Sequence, residues 1–306
     1  MKIKQILPKT LLGLGLALLV GTGCKKDTPP GPATIADIVN TNASFTTLKA
    51  AVEKAGIGSA LSSGTLTVFA PDDAAFAAAG ITASTLQSLT PAQVADILTY
   101  HVLSVKVGSA DVPVSDGVVT LQGKKLFASR NANGVFVNGI KVKSADINAS
   151  NGVIHVIENV LIPPTQTIQQ IAAGNPNLSL LVAAVSKAGL LNAIGAEGKL
   201  TVFAPTNAAF NAAGFNSVAD INAASTSLIT TVVSYHVLGT NVFASDLING
   251  STATTLQGGT LTIGLTPPSV KITTSANPVS NIVLDGGVNI VATNGVVHLI
   301  NRVLLP

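Results

Sequence analysis

Two ten-residue stretches constrain this chain most. TVFAPDDAAF runs from Thr67 to Phe76 and TVFAPTNAAF from Thr201 to Phe210, identical at eight of ten positions and 134 residues apart. Other segments recur in the same order. AAVEKAG begins at Ala50 and AAVSKAG at Ala183; YHVL begins at Tyr100 and again at Tyr235. NGVIHVIENVLIPP begins at Asn151, and NGVVHLINRVLLP begins at Asn294 and ends at Pro306. Conserved order over so long a period is the mark of a duplicated domain, not of a short-period solenoid. A length of 306 residues fits two domains of common size, each able to bury its own core. The junction falls at Pro163-Pro164-Thr165, giving copies at 34–164 and 165–306. His101 and His155 are 54 apart, His236 and His298 62 apart, so the second copy carries about eight extra residues. Pro and Ser/Thr place them in a loop within GLTPPSVKITTSANPVSN.

Each copy reads as mixed helix and strand. LTVFA is a strand that Pro71 or Pro205 ends, because proline cannot donate to a ladder. Asp72 or Asp73, and Thr206 or Asn207, cap a short helix stopped by Gly80 or Gly214, and Phe76 and Phe210 fold back onto the core. Leu178, Leu181, Val182 and Val185 share one helical face, and Phe45, Leu48 and Val52 match them. Thr90 and Pro91 open a helix with a stripe of Val94, Ile97 and Leu98. GVIHVIENVLI and GVVHLINRVLL are β-branched and apolar, hence strands. VVTLQGKKLFAS and ATTLQGGTLTIG read as hairpins around glycine.

Charged residues make up only 10% of the chain, and the apparent basicity is local. Lys2, Lys4 and Lys9 precede the apolar run Leu11 to Val20, a layout that reads as a secretory signal over residues 1–23. Without those three, 14 basic side chains face 14 acidic ones, and no basic stripe argues for nucleic acid. The single cysteine, Cys24, follows LVGTG; the stretch resembles a bacterial lipoprotein signal, although Gly21 stands where leucine is usual. That resemblance implies lipidation of Cys24, a membrane partner through the lipid, and a place in the bacterial cell envelope, at the outer membrane or cell surface. Residues 24–33, rich in proline and polar side chains, then serve as a flexible tether.

The ordered, duplicated motifs resemble the fasciclin-like domain family, over nearly all of residues 34–164 and 165–306. The resemblance implies an α+β class of fold: two tandem domains, each of two packed β-sheets flanked by small helices. It also implies a non-enzymatic, extracellular role in adhesion, through protein, matrix or polysaccharide contacts or self-association. Asp72 stands where the family usually has threonine, and Asn301 where it usually has an acid, supplied by Glu158 in copy one. In animal relatives the segment around the Tyr-His pair is tied to receptor binding, which marks Tyr100, His101, Tyr235 and His236 as candidate binding residues.

The residues themselves favour a bland role for those four: amphipathic side chains that pin a helix to a sheet with polar tips satisfied. His101 continues the stripe from Val94, and His155 shares a strand face with Val153 and Ile157. No motif completes a His101–His155 metal site, and no cofactor is expected. No G-x-S-x-G elbow exists, and Thr206-Asn207 could not repeat acid–base work done by Asp72-Asp73, so no catalytic residues are assigned. The alternative to adhesion is a periplasmic or surface lipoprotein that binds a small ligand or glycan.

Overall fold

The computed structural model describes residues 31–112, 117–266, 269–275, 279–283 and 287–306. The signal-like segment, Cys24 and most of the tether lie outside the described residues. Residues 32–306 form one compact unit.

The first copy runs α1 (Ile35–Thr41), α2 (Thr46–Ala55), β1 (Leu66–Pro71), α3 (Asp73–Ala78), α4 (Ala83–Ser88), α5 (Pro91–Tyr100) and β2 (Val102–Leu103). It continues through β3 (Val118–Val119), β4 (Lys125–Leu126), β5 (Ala128–Asn131), β6 (Gly134–Val137), β7 (Ile140–Ala149) and β8 (Gly152–Ile157). The second copy repeats the plan. Its first half is α6 (Ile168–Gly174), α7 (Ser179–Lys187), α8 (Leu191–Gly195), β9 (Leu200–Pro205), α9 (Asn207–Ala212), α10 (Val218–Ala223), α11 (Thr226–Tyr235) and β10 (Val237–Leu238). Its second half is β11 (Thr252–Thr254), β12 (Thr260–Thr266), β13 (Ser269–Thr273), β14 (Ser280–Asn281), β15 (Ile290–Ala292) and β16 (Gly295–Ile300).

In each copy an early strand lies parallel to the last one, in the same register. Leu66 faces Gly152 and Phe69 faces His155; Leu200 faces Gly295 and Phe203 faces His298. β1 is buried along its whole length, because both of its faces carry core. Leu66, Val68 and Ala70 pack against the helices with Leu48, Phe76 and Leu98. Phe69 points the other way, into a second core with Tyr100, Leu126, Val137, Ile157 and Leu161. The second copy repeats the division, Val202 and Ala204 on the helical side, Phe203 with Tyr235, Leu261 and Ile272 on the other.

The parallel strands approach so closely that only glycine fits at the start of the last one. A Cβ on Gly152 would lie 2.0 Å from the Leu66 carbonyl oxygen, and one on Gly295 2.1 Å from that of Leu200. The asparagine before each glycine closes its copy. Asn151 accepts from the Ile35 amide at 2.8 Å and donates to the Leu61 carbonyl; Asn294 accepts from Ile168 at 2.9 Å and donates to Ile194 and Ala196. First helix and last strand are thereby tied across more than a hundred residues.

The copies differ in their sheets. In the first, β2-β1-β8-β7-β6-β5 form one sheet, and register shifts in β7 between Val142 and Ile147 let it bend around the core. In the second, β10-β9-β16-β15 and β11-β12-β13-β14 are separate sheets that share one core.

Three expectations need correction. The stretch expected as a loop in the second copy contains β13, paired along β12 and placing Ile272 in the core. The last strands end at Ile157 and Ile300, not beyond; Val160, Leu161, Val303 and Leu304 are buried in irregular chain. On α7 the buried residues are Leu180, Leu181, Ala184 and Val185, with Val182 only partly covered.

Candidate functional site

The repeated joint is built twice with different letters. Asp72 caps α3 by accepting from the Ala75 amide at 2.8 Å, and Thr206 caps α9 by accepting from Ala209 at 3.3 Å. The next residue does separate work. Asp73 accepts from the Thr46 and Thr47 amides at 3.2 and 2.8 Å and from the Thr46 hydroxyl at 2.8 Å, holding the exposed start of α2. Burial pushes the Asp73 carboxyl up, but the donors from Thr47 and Thr46 outweigh it and leave it below the usual carboxylate range. Asn207 holds α7 in the same way, accepting from Leu180 at 3.0 Å and donating to Pro176 and Ser179.

The Tyr-His pairs are buried. Tyr100 and Tyr235 are 0% and 1% exposed, His101 and His236 2% each. The Tyr100 hydroxyl donates to the Lys125 carbonyl at 2.9 Å and accepts from Asn138 at 2.9 Å; the Tyr235 hydroxyl donates to the Thr260 carbonyl. Burial pushes the Tyr100 phenol up to about 12 against the opposing Asn138 bond, and raises that of Tyr235.

Each histidine of the pair latches the irregular chain that follows the last strand. The Leu161 amide donates to His101 Nε2 at 2.9 Å, so Nδ1 carries the proton and donates to the Ile97 carbonyl at 2.8 Å. The Leu304 amide donates to His236 Nε2 at 2.8 Å, and Nδ1 donates to Val232 at 2.7 Å. Burial drives both imidazoles down to about 4, only partly offset by these carbonyl bonds.

His155 and His298 use the opposite tautomer. The Asp146 amide donates to His155 Nδ1 at 3.2 Å, so Nε2 donates to Val107 at 2.9 Å. The Asn289 amide donates to His298 Nδ1 at 3.3 Å, and Nε2 donates to Val242 at 2.8 Å. Their rings lie 5.5 and 5.7 Å from those of Phe69 and Phe203. Burial lowers His298, against the Val242 bond and the Asp246 charge. All eight imidazole nitrogens are thus spent on backbone groups. Among the described residues, no group of three or more His, Cys, Asp or Glu could hold a metal ion.

The structure brings the candidate Tyr-His residues into two cores, one per copy, and leaves them no exposed face. Nothing local in the sequence marks Leu161 and Leu304 as latch partners. Asn151 and Asn294 could have been found, since each stands before the glycine that opens the last strand.

An accessible concave feature lies between the copies. A cleft of about 530 Å³ is walled by the β6–β7 turn and residues 160–166 on one side, and by Ile171 and residues 288–291 on the other. Beside it the copies touch. The Ser129 hydroxyl donates to Asp246, Asn131 donates to the Ser245 carbonyl at 2.6 Å, and the Phe127 and Phe243 rings are 6.0 Å apart. The Lys124 ammonium donates to the Pro164 carbonyl in the connecting segment.

Twin α+β units, each closed by a parallel first-to-last strand pair and locked by neutral buried histidines, define a tandem structural module. The chain belongs to the fasciclin family: the fasciclin domain model matches residues 43–163 and 176–306. Transforming growth factor-beta-induced protein ig-h3 of Sus scrofa is 30% identical over 258 residues, 83% of this chain and 35% of that protein. Protein sll1483 of Synechocystis sp. is 45% identical over 152 residues, 49% of this chain and 79% of that protein. A solved fasciclin domain pair from the insect cell adhesion molecule fasciclin I is 15% identical with a TM-score of 0.43, covering 86% of this chain and 97% of that one. The chain spans about a third of the length of the pig relative. Among the described residues no helix is long and apolar enough to cross a membrane.

Proposed function

We propose that this chain is a lipid-anchored, extracytoplasmic binding and adhesion module that works by contact, through protein, matrix or polysaccharide partners or by self-association, without a chemical step. The observation that carries the non-catalytic reading is the use of the histidines. Every imidazole is committed at both nitrogens to the backbone, so none is poised as a general base or a metal ligand. Membership of the fasciclin family supports adhesion. Cys24, after a signal-like segment and before a Pro-rich stretch, supports the anchor and a cell-envelope location. Beads coated with the full chain should bind one another, or immobilised matrix protein or polysaccharide, about tenfold more than albumin-coated beads. Equal retention of the two would sink the adhesion reading.

A second reading has one observation in its favour. The cleft between the domains falls within the ~300–1,000 Å³ range of small-ligand sites and sits where such sites concentrate, at a domain interface. A surface lipoprotein that binds a small ligand would use it.

A further inference from the structure

We infer that the cleft between the two domains receives an extended, uncharged peptide segment, which adds as a strand to the free edge of β15. This rests on the reading of the chain as a contact-making module and assigns that module a site and a partner chemistry.

The edge comes first. β6 pairs only with the start of β7, at Ile140 and Lys141; in the second domain Ile282 bridges to Ile300, and β15, beside it along β16, pairs with no other described strand. Ala292 faces Gly295 across the turn formed by Thr293 and Asn294, the closing hydrogen-bonded pair of a tight hairpin. Hydrogen-bonded and non-bonded pairs alternate along an antiparallel ladder. Val291, opposite Val296, is therefore the non-bonded position, and its N–H and C=O point away from β16. Val291 also lines the cleft, together with Asn289 and Ile290. The cleft thus has a donor and an acceptor set at strand spacing on one wall. The opposite wall is different, because Pro163 and Pro164 supply no N–H. An incoming strand would pair on one side only.

The lining sets the chemistry. Among the described residues its lining has no Asp, Glu, Lys or Arg, and the Lys124 ammonium beside it is already held by the Pro164 carbonyl, so a charged ligand would leave water without an available counter-ion. That described lining also has no aromatic face on which a sugar ring could stack. What it offers is aliphatic surface, Ile140 and Ile162 among it, with the side-chain amide of Gln166 beside the strand edge; the Gln166 carbonyl already accepts from the Thr293 amide at 2.9 Å, so the open backbone groups are those of Val291. Main-chain pairing for affinity and apolar contacts for alternate side chains are the requirements of strand addition.

The test uses the detergent-solubilised full chain, ¹⁵N-labelled, and the peptide acetyl-Ser-Val-Thr-Val-Ser-amide. Its fully N-methylated counterpart keeps the side chains and carbonyl acceptors but has no N–H to donate to the Val291 carbonyl. The first peptide should shift the amide signals of Asn289, Ile290, Val291 and Gln166 in a saturable way. N-methylation should weaken binding at least about tenfold. Ile162 is 58% exposed, so Ile162→Lys should leave the fold and melting temperature unchanged and also cost about tenfold in affinity. The inference is overturned if the amides do not move, if the N-methylated peptide binds equally, or if Ile162→Lys binds as wild type. It is also overturned if cellotetraose moves the same amides and the peptide does not. A silent cleft in a preparation that still clusters beads removes this site and leaves the adhesion reading intact; peptide binding without bead adhesion does the reverse.

Discussion

At the scale of single residues, the histidines act as neutral clamps, and that makes stability sensitive to acid. His101 and His236 titrate at about 4 in the folded chain, below the ordinary value of 6.5. A depressed folded value means that the unfolded chain takes up protons first as pH falls. Stability is full above about pH 6.5, is lost progressively toward pH 4, and loses no more from these groups below that. The size is about 3 kcal/mol for each histidine, from 1.36 kcal/mol per pH unit. Urea midpoints between pH 7.5 and 4.5 should show that slope, and His101→Gln should flatten it. An unchanged slope would mean that His101 does not titrate with unfolding. At neutral pH, His101→Ala and His236→Ala should each cost about 1–3 kcal/mol, because the Leu161 or Leu304 amide is left buried and unpaired. Phe76→Ala and Phe210→Ala should cost about 3–5 kcal/mol, the range for an aromatic removed from a core. Thermal melts give all four values. Histidine variants that melt like wild type would mean these side chains do not hold the core.

At the scale of elements, the strand-to-helix joint explains which letters are free to change between copies. Asp72 and Thr206 perform the same cap, so Asp72→Thr should cost no more than about 1 kcal/mol, including its surface ion pair with Lys143. Asp73→Ala should cost more, because it releases three donors at the start of α2. Chemical denaturation of the two variants checks the order, and a reversed order would refute this division of labour. Much of this joint was legible in sequence: the proline stop, the cap, the buried phenylalanine. The Thr90 cap followed from local rules in the same way, and the structure adds Gln93 to it as a capping box. What was hidden depends on distant partners. β13 was masked by its Pro- and Ser/Thr-rich flanks, although Val270 and Ile272 alternate as a strand does. The segments after Ile157 and Ile300 read as strand because their residues are apolar, yet a histidine from the helix of the same copy holds them. The two tautomers and the cleft need contacts between residues far apart in the chain, which no local pattern carries.

At the scale of the whole molecule, the question is whether two copies that touch also need one another. The first copy owns two hydrophobic clusters, and every residue in them belongs to it. Its last strand is bound to its first helix by Asn151, so its ends are closed without help. The contact with the second copy is mainly polar: the bonds of Ser129 and Asn131 to the 245–246 turn, with the Phe127–Phe243 approach beside them. Polar bonds of this kind each contribute about 0.5–1.5 kcal/mol net, far less than a domain core. Residues 32–164 should therefore fold alone and unfold in one cooperative transition, only a few kcal/mol less stable than in the pair. Calorimetry on the fragment and on 32–306 decides it. A fragment without a cooperative transition would show that the second domain is part of the first one's folding unit, and that the duplication has produced one structure instead of two.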